Sequence, residues 1–233
     1  GALVVGATFI VKRIKGIKRP ALATILPTAT TPTMLLDSGA NADCRPEMLT
    51  QFGIMGSAYM NQIMGVKTPR VGLANIGAEE TKGGELQLKA YELLKKAPIH
   101  FVGNIEARDI PLGGCDVVVA DGFSGNIILK LTEGMGKLIS IKLKEIFMSG
   151  FLSKIGALFV MKQVKQFKKS MDYTEYGGAP LMGVRKPVIK AHGSSNAVAF
   201  KNAIRQAILF TKNDVIGEIE GHLAACETSE GNE

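Results

Sequence analysis

The stretch that most constrains this chain is Val117-Val118-Val119-Ala120 followed by Asp121-Gly122-Phe123-Ser124-Gly125-Asn126. A β-branched run closed by Asp predicts a buried strand, and the two glycines, Ser and Asn after it suit a tight turn and a helix cap. Ile127, Ile128, Leu131, Met135 and Leu138 then recur at helical spacing, which predicts a long helix from residue 127. Strand, small-residue turn and helix start aim backbone N–H groups and the helix dipole at one point, a ready site for phosphate. An ordinary βα turn with an Asn cap has the same residues, so the hexamer alone leaves both readings open.

The same arrangement recurs. Met34-Leu35-Leu36-Asp37 predicts a strand that ends at Ser38-Gly39-Ala40-Asn41-Ala42-Asp43, before a helix from Pro46 to about Met64. Arg70 to Ile76 predicts a strand, 77–84 its loop, and Glu85 to Lys96 an amphipathic helix. Val188 to Ala191 leads through His192-Gly193-Ser194-Ser195-Asn196 into a helix from Ala197 to Phe210. Further expectations are a helix over 1–15, strands at 21–26 and 99–102, and a glycine-rich loop over 173–181. Strands alternating with helices imply an α/β fold, a mostly parallel sheet covered on both faces. In such a sheet the four turns at 37–43, 77–84, 121–126 and 192–196 share one edge and converge on one ligand.

Within those turns, Lys82 sits between glycines, where its ammonium can meet a phosphate as a point charge; a solvated lysine is the plain alternative. Asn126 can donate to a developing oxyanion or simply cap its helix. His192 can bind an anion or polarise a carbonyl, or serve as a structural hydrogen-bonder. No G-x-S-x-G elbow, Walker lysine or G-x-G-x-x-G fingerprint is present, so a bound phosphate would itself be the nucleophile.

Between Ile146 and Met171 there are five lysines and no acidic residue. Phe151, Leu152, Ile155, Leu158 and Phe159 fall on one helical face, and the pattern breaks near 159–161, which predicts a projecting amphipathic hairpin over 147–169. Lysines flanking large apolar groups suit an anionic membrane surface; a second subunit or the core would cover such a face equally well.

Hydrophobic content of 46% and charged content of 21% describe one globular domain over 1–233. Cys44, Cys115 and Cys226 are widely spaced, which fits reduced thiols in a cytoplasm and no metal site. The net charge of +7 comes without Trp and without aromatic interleaving, so no nucleic-acid partner is expected. The chain opens at Gly1-Ala2-Leu3, without Met, inside an apolar segment, as the later part of a longer protein would.

Together, Leu36-Asp37-Ser38-Gly39-Ala40-Asn41, Asn75-Ile76-Gly77-Ala78-Glu79-Glu80-Thr81-Lys82-Gly83, Asp121 to Asn126, Glu175-Tyr176-Gly177-Gly178-Ala179-Pro180 and Ala191-His192-Gly193-Ser194-Ser195 resemble the bacterial phosphate acyltransferases. The resemblance covers residues 1 to about 212. It implies a three-layer αβα fold similar to isocitrate and isopropylmalate dehydrogenases and to phosphotransacetylase, and a homodimer. It implies transfer of a long-chain acyl group from acyl carrier protein to inorganic phosphate, without a cofactor, giving acyl phosphate for phospholipid synthesis. It further implies a cytoplasmic enzyme peripherally associated with the membrane, whose product reaches a glycerol-3-phosphate acyltransferase. By motif, Lys82 and Asn126 carry the catalytic roles. Asp37, Asn41, Gly77, Glu80, Asp121, Ser124, Gly125, His192, Gly193 and Ser194 are the expected substrate and phosphate contacts. The family carries a further amino-terminal segment that lines the same cleft. Phosphotransacetylase-like transfer from acyl-coenzyme A and a non-catalytic scaffold for lipid-synthesis enzymes stand as alternatives.

Overall fold

The computed structural model describes residues 2–170, 178–191 and 195–230. The chain opens with α1 (Ala2–Gly6), which loosens into a π-helical turn over Ala7–Val11. The expected helix over 1–15 stops there: Lys12 takes a positive φ of 69°, and Ile14 and Ile17 are buried from an irregular segment. Gly6 with the β-branched Val4, Val5 and Val11 makes a weak helix, which packing of Ile14 and Ile17 overrides.

Next come β1 (Ala21–Leu26), β2 (Thr33–Leu36), α2 (Pro46–Gln62), β3 (Arg70–Asn75), α3 (Glu85–Lys96), β4 (His100–Glu106) and β5 (Val117–Val119). They are followed by α4 (Gly122–Met148), α5 (Phe151–Ser170), β6 (Ala179–Met182), β7 (Ile189–Lys190), α6 (Ala197–Lys212) and α7 (Val215–Glu230). The strand β6 occupies part of the expected 173–181 loop, and residues 171–177 lie outside the described residues. Helix α7, with Val215 and Ile219 fully buried, runs to Glu230.

Seven strands form one mixed sheet in the order β4-β3-β5-β2-β1-β6-β7. Strands β4, β3, β5 and β2 run parallel, whereas β1, β6 and β7 add antiparallel pairs. The period-two alternation of the strands sorts side chains to two cores. Met34, Leu36, Val71, Leu73, Val117 and Val119 face a core that includes Phe52, Tyr59, Leu94 and Phe210 of the helices. Leu35 and Val118 face the other, with Leu129 of α4. Helices thus cover both faces, and the central strand β5 contributes three fully buried valines. Across the first core, Gln206 donates to the Tyr59 hydroxyl at 2.6 Å, tying α6 to α2.

Two boundaries differ in ways that matter. Helix α4 starts at Gly122, five residues before the expected position, because the Asp121 carboxylate caps it by accepting from Phe123 N and Ser124 N. Asn126 is therefore inside the helix, not at its cap. The hairpin bends at Ser149-Gly150, where Ser149 Oγ donates to Ile146 O, and α5 runs unbroken through 159–161. The shift of apolar residues there falls in a largely exposed stretch: Phe159, Val160 and Met161 are all exposed, whereas Ala157 is buried.

Candidate functional site

The three parallel strands β2, β3 and β5 end at one edge of the sheet, β5 between the other two. The turns after them carry Asp37, Lys82 and Asp121. The strand before the expected fourth turn runs the other way. Strand β7 is antiparallel to β6, which is antiparallel to β1, so β7 runs opposite to β2 and its carboxyl end points to the other edge. His192, Gly193 and Ser194 lie outside the described residues.

Asp37 is fully buried, yet its carboxylate is saturated with donors. Leu22 N, Gly39 N, Ala40 N, Asn41 N and Asn41 Nδ2 all donate to it, at 2.7–3.1 Å. Asp121 likewise takes Phe123 N, Ser124 N and Ser124 Oγ. The amides that a sequence reading offers to phosphate in these two turns are thus engaged by the protein's own carboxylates. A buried carboxylate costs several kcal/mol unless hydrogen-bonded in this way, so the two acids shape the turns.

The two turns are locked together. Gly122 N donates to Asn41 O at 2.7 Å, and side chains at 122 or 125 would overlap the backbone of Asn41 or Asp37. The Asn126 side chain lies over Gly39, its Oδ1 3.4 Å from where a Cβ would be. Asn126 is exposed, and its amide has no hydrogen-bond partner among the described residues. Beneath, Cys44 Sγ contacts Asn41 O, and burial, with the Asp37, Asp121 and Asp43 charges adding, pushes its thiol up to about 12. A thiol held protonated in this way is no nucleophile.

The loop 76–84 is open by contrast. Its Lys82 is exposed, its stem lies 3.0 Å from where a Cβ on Gly77 would be, and its ammonium has no partner among the described residues. Neighbouring side chains hold the backbone beneath it. Asn75 Nδ2 donates to Lys82 O at 2.9 Å, Asn104 Nδ2 to Glu79 O at 2.7 Å, and Lys82 N to Glu79 O at 3.1 Å. Gly83 has φ +97°, and a side chain there would press on Asn75. Glu80, expected at the ligand, is taken up by the Tyr91 hydroxyl at 2.8 Å and Lys95 at 3.6 Å. Burial, and then the Glu80 carboxylate, pushes the Tyr91 hydroxyl up to about 12, so it stays a donor. Asn104 and Tyr91 carry no motif signal of their own. Asn75 does, as the first residue of the lysine loop.

Of the expected residues, the structure brings Asp37, Asn41, Asp121, Ser124, Gly125 and Asn126 into one cluster, with Gly77 and Lys82 along the same edge. Among the described residues, no three His, Cys, Asp or Glu side chains gather to hold a metal ion.

A family model described as fatty acid synthesis protein matches residues 1–218. The chain belongs to this family. Phosphate acyltransferases are among the family's relatives of this chain: that of Thermoanaerobacter pseudethanolicus is 54% identical over 220 residues, 94% of this chain and 66% of the relative. The one from Alkaliphilus oremlandii is 54% identical over 219 residues, covering 94% and 65%. The chain therefore spans about two thirds of the length of these relatives. Among solved structures, EutD phosphotransacetylase from Staphylococcus aureus superposes with a TM-score of 0.57 at 14% identity, over 92% of this chain and 59% of that one. A phosphotransacetylase from Streptococcus pyogenes gives 0.55 at 18% identity, over 92% and 59%. At that identity the likeness establishes a shared α/β fold.

Proposed function

We propose that this chain is the major part of an enzyme that transfers a long-chain acyl group from the thioester of acyl carrier protein to inorganic phosphate. The observation that carries the reading is Lys82: an exposed ammonium, without a partner among the described residues, on a loop held by side chains of β3 and β4, one strand away from the locked Asp37–Asp121 cluster. The 54% identity to proteins named phosphate acyltransferase supports the same reaction.

Phosphate rests against Lys82, which offsets its charge and orients it. With the turn amides at 39–41 and 123–124 already engaged, the donors for the anion among the described residues of these turns are the lysine and the 77–81 loop. A phosphate oxygen attacks the thioester carbonyl, and Asn126 Nδ2 donates to the tetrahedral oxyanion. The C–S bond then breaks, the carrier thiol leaves with a proton, and acyl phosphate is released to a glycerol-3-phosphate acyltransferase. Asp37, Asn41, Asp121 and Gly125 act by fixing where Asn126 stands. His192, Gly193 and Ser194 are carried as phosphate contacts on the resemblance alone. Neither a cofactor nor a metal takes part.

The hairpin of α4 and α5 serves attachment. Met148, Phe151 and Leu152 flank its bend and are exposed, and lysines line α5, a pattern that suits the surface of an anionic bilayer. No described helix is long and apolar enough to cross a membrane, so attachment is peripheral in this reading. The exposed stripe Phe123, Ile127, Leu131 and Met135 on α4 suits a second copy of the chain in a homodimer.

The test is phosphate-dependent release of free carrier thiol, with hydroxylamine trapping of the acyl phosphate. It is run on this chain and on a form extended to the relatives' length. Turnover of carrier thioesters but not acetyl-coenzyme A supports the proposal. Preference for acetyl-coenzyme A converts it to phosphotransacetylase chemistry, and vesicle binding without turnover in the extended form leaves a scaffold.

A further inference from the structure

The first acidic residue of the chain is Asp37; before it stand Lys12, Arg13, Lys15, Lys18 and Arg19. All five are exposed. The fold adds two more cations from far along the sequence. Arg13 bridges Val184, Arg185 N donates to Lys12 O at 3.0 Å, and Arg185 Nε donates to Arg13 O at 3.1 Å, so Arg185 and Lys186 join the same surface. Among the described residues, none of the seven forms an ion pair. Lys12, Arg13 and Lys15 also line an open cavity of about 450 Å³ with Thr8 and Phe9.

Its place in the sheet is what gives this surface meaning. Strand β1 begins, and β6 ends, at the edge where β2 delivers Asp37: Ala21 pairs with Met182, and Ala23 with Leu36. Asn41 Nδ2 donates to Pro20 O at 2.8 Å, and Leu22 N to Asp37 at 3.0 Å. The basic segments therefore sit beside the candidate site on its own rim. Of the hairpin lysines, Lys154 lies beside the bend at the far end of α4, and Lys162, Lys165 and Lys168 follow on α5 as it returns; none of them lies in the two segments tied to Pro20 and Asp37.

We infer that this seven-cation rim is the docking surface for an acidic protein, the carrier that presents the acyl thioester to the site. The inference rests on the acyl-carrier reading proposed above. Single exposed ion pairs contribute little, but several like charges beside a site steer an oppositely charged partner to it and raise its rate of encounter. That attraction is screened over about 10 Å at 0.1 M salt. Unpaired cations gathered from two distant segments are what such steering requires.

The experiment compares three forms of the chain: wild type, a rim variant (Lys12→Glu, Lys15→Glu, Lys18→Glu and Lys186→Glu), and a hairpin variant (Lys154→Glu, Lys162→Glu, Lys165→Glu and Lys168→Glu). The two variants carry the same net charge, and circular dichroism and thermal melting verify that each is folded. Affinity for purified apo-acyl carrier protein is read by fluorescence anisotropy across a salt series. The rim variant is expected to bind at least about tenfold more weakly with a flattened salt dependence, and the hairpin variant within about twofold of wild type. Equal losses in both variants, or none in the rim variant, overturn the inference. So does a rim variant that keeps carrier binding and loses only its binding to phosphatidylglycerol vesicles, which would make the rim a lipid surface. Protection of Lys82 by phosphate against reductive methylation, read by peptide mass spectrometry, separates the two levels. A wild-type chain that binds no carrier but shows protection overturns the rim alone. Neither binding nor protection overturns the proposed function with it.

Discussion

Gly125 lies against the backbone of Asp37 so closely that a Cβ at position 125 would overlap the Asp37 carbonyl oxygen. This contact sets the first turn of α4 onto the turn after β2, and it places Asn126 over Gly39. Gly125→Ala forces backbone apart, because neither partner is a flexible side chain. It is expected to destabilise the chain by about 3 kcal/mol, measured by urea unfolding. Gly134→Ala in the same helix, where nothing lies within 4 Å, is the matched control and is expected to stabilise by up to about 1 kcal/mol. Equal effects at the two positions would contradict the packing argument.

At the opposite edge of the parallel strands, Asp116 accepts from Arg70 N, Nε and Nη2 at 2.8–3.1 Å. Burial works to raise its pKa, but the Arg70 hydrogen bonds and charge prevail and hold it below the usual carboxylate range. Since folding lowers this pKa, the stabilisation is complete above the unfolded value near 4 and is lost as pH falls through the folded one. Asp116→Asn is expected to cost about 2 kcal/mol at pH 7, discounted for the partly exposed guanidinium, and the gap to wild type should close below about pH 4. Thermal melts of both proteins between pH 3 and pH 7 check the sign.

Asn75 and Asn104 hold the carbonyls of Lys82 and Glu79. Alanine at either frees the lysine loop without opening the core. Phosphate protection of Lys82 from reductive methylation should then require on the order of tenfold more phosphate, as expected for about 1–1.5 kcal/mol per lost hydrogen bond, while melting shifts by only a few degrees. Unchanged protection would show that the loop needs neither side chain.

Phe151 and Leu152, 79% and 82% exposed, contribute almost nothing to the folded chain's core. Phe151→Asp with Leu152→Asp should therefore leave urea stability within about 0.5 kcal/mol of wild type. Sedimentation with phosphatidylglycerol vesicles should be lost. Retained sedimentation would remove the hairpin bend from the membrane account.

Local signals were strong where one neighbourhood decides the outcome. Strand Ala21–Leu26 and helix Glu85–Lys96 have the boundaries their residue patterns predict. The residue pattern points to Asn126 as the cap of a helix from 127, since Asn caps well; the cap is instead Asp121, whose carboxylate accepts from Phe123 N and Ser124 N, and Gly125 lies inside the helix against Asp37. The direction of β7 was hidden because strand pairing is tertiary, and a strand followed by a helix in an alternating, mostly parallel pattern suggests one more parallel strand. Lys82 stood out by its glycines. The Asn104 and Tyr91 side chains that support its loop did not, since they arrive from β4 and α3 only when the chain folds. Nor did letters alone show that Asp37 and Asp121 consume the amides of their own turns.

The most direct test of the central claim is an isotope experiment with oxygen-18-labelled phosphate and a long-chain acyl thioester of acyl carrier protein, using the form extended to the relatives' length. If phosphate held at Lys82 is the nucleophile, the acyl phosphate isolated intact, without hydroxylamine, carries label in its bridging oxygen, and Lys82→Ala lowers its formation by on the order of a hundredfold. Thioester cleavage that yields unlabelled free acid, at a rate indifferent to phosphate and to Lys82→Ala, would contradict the account.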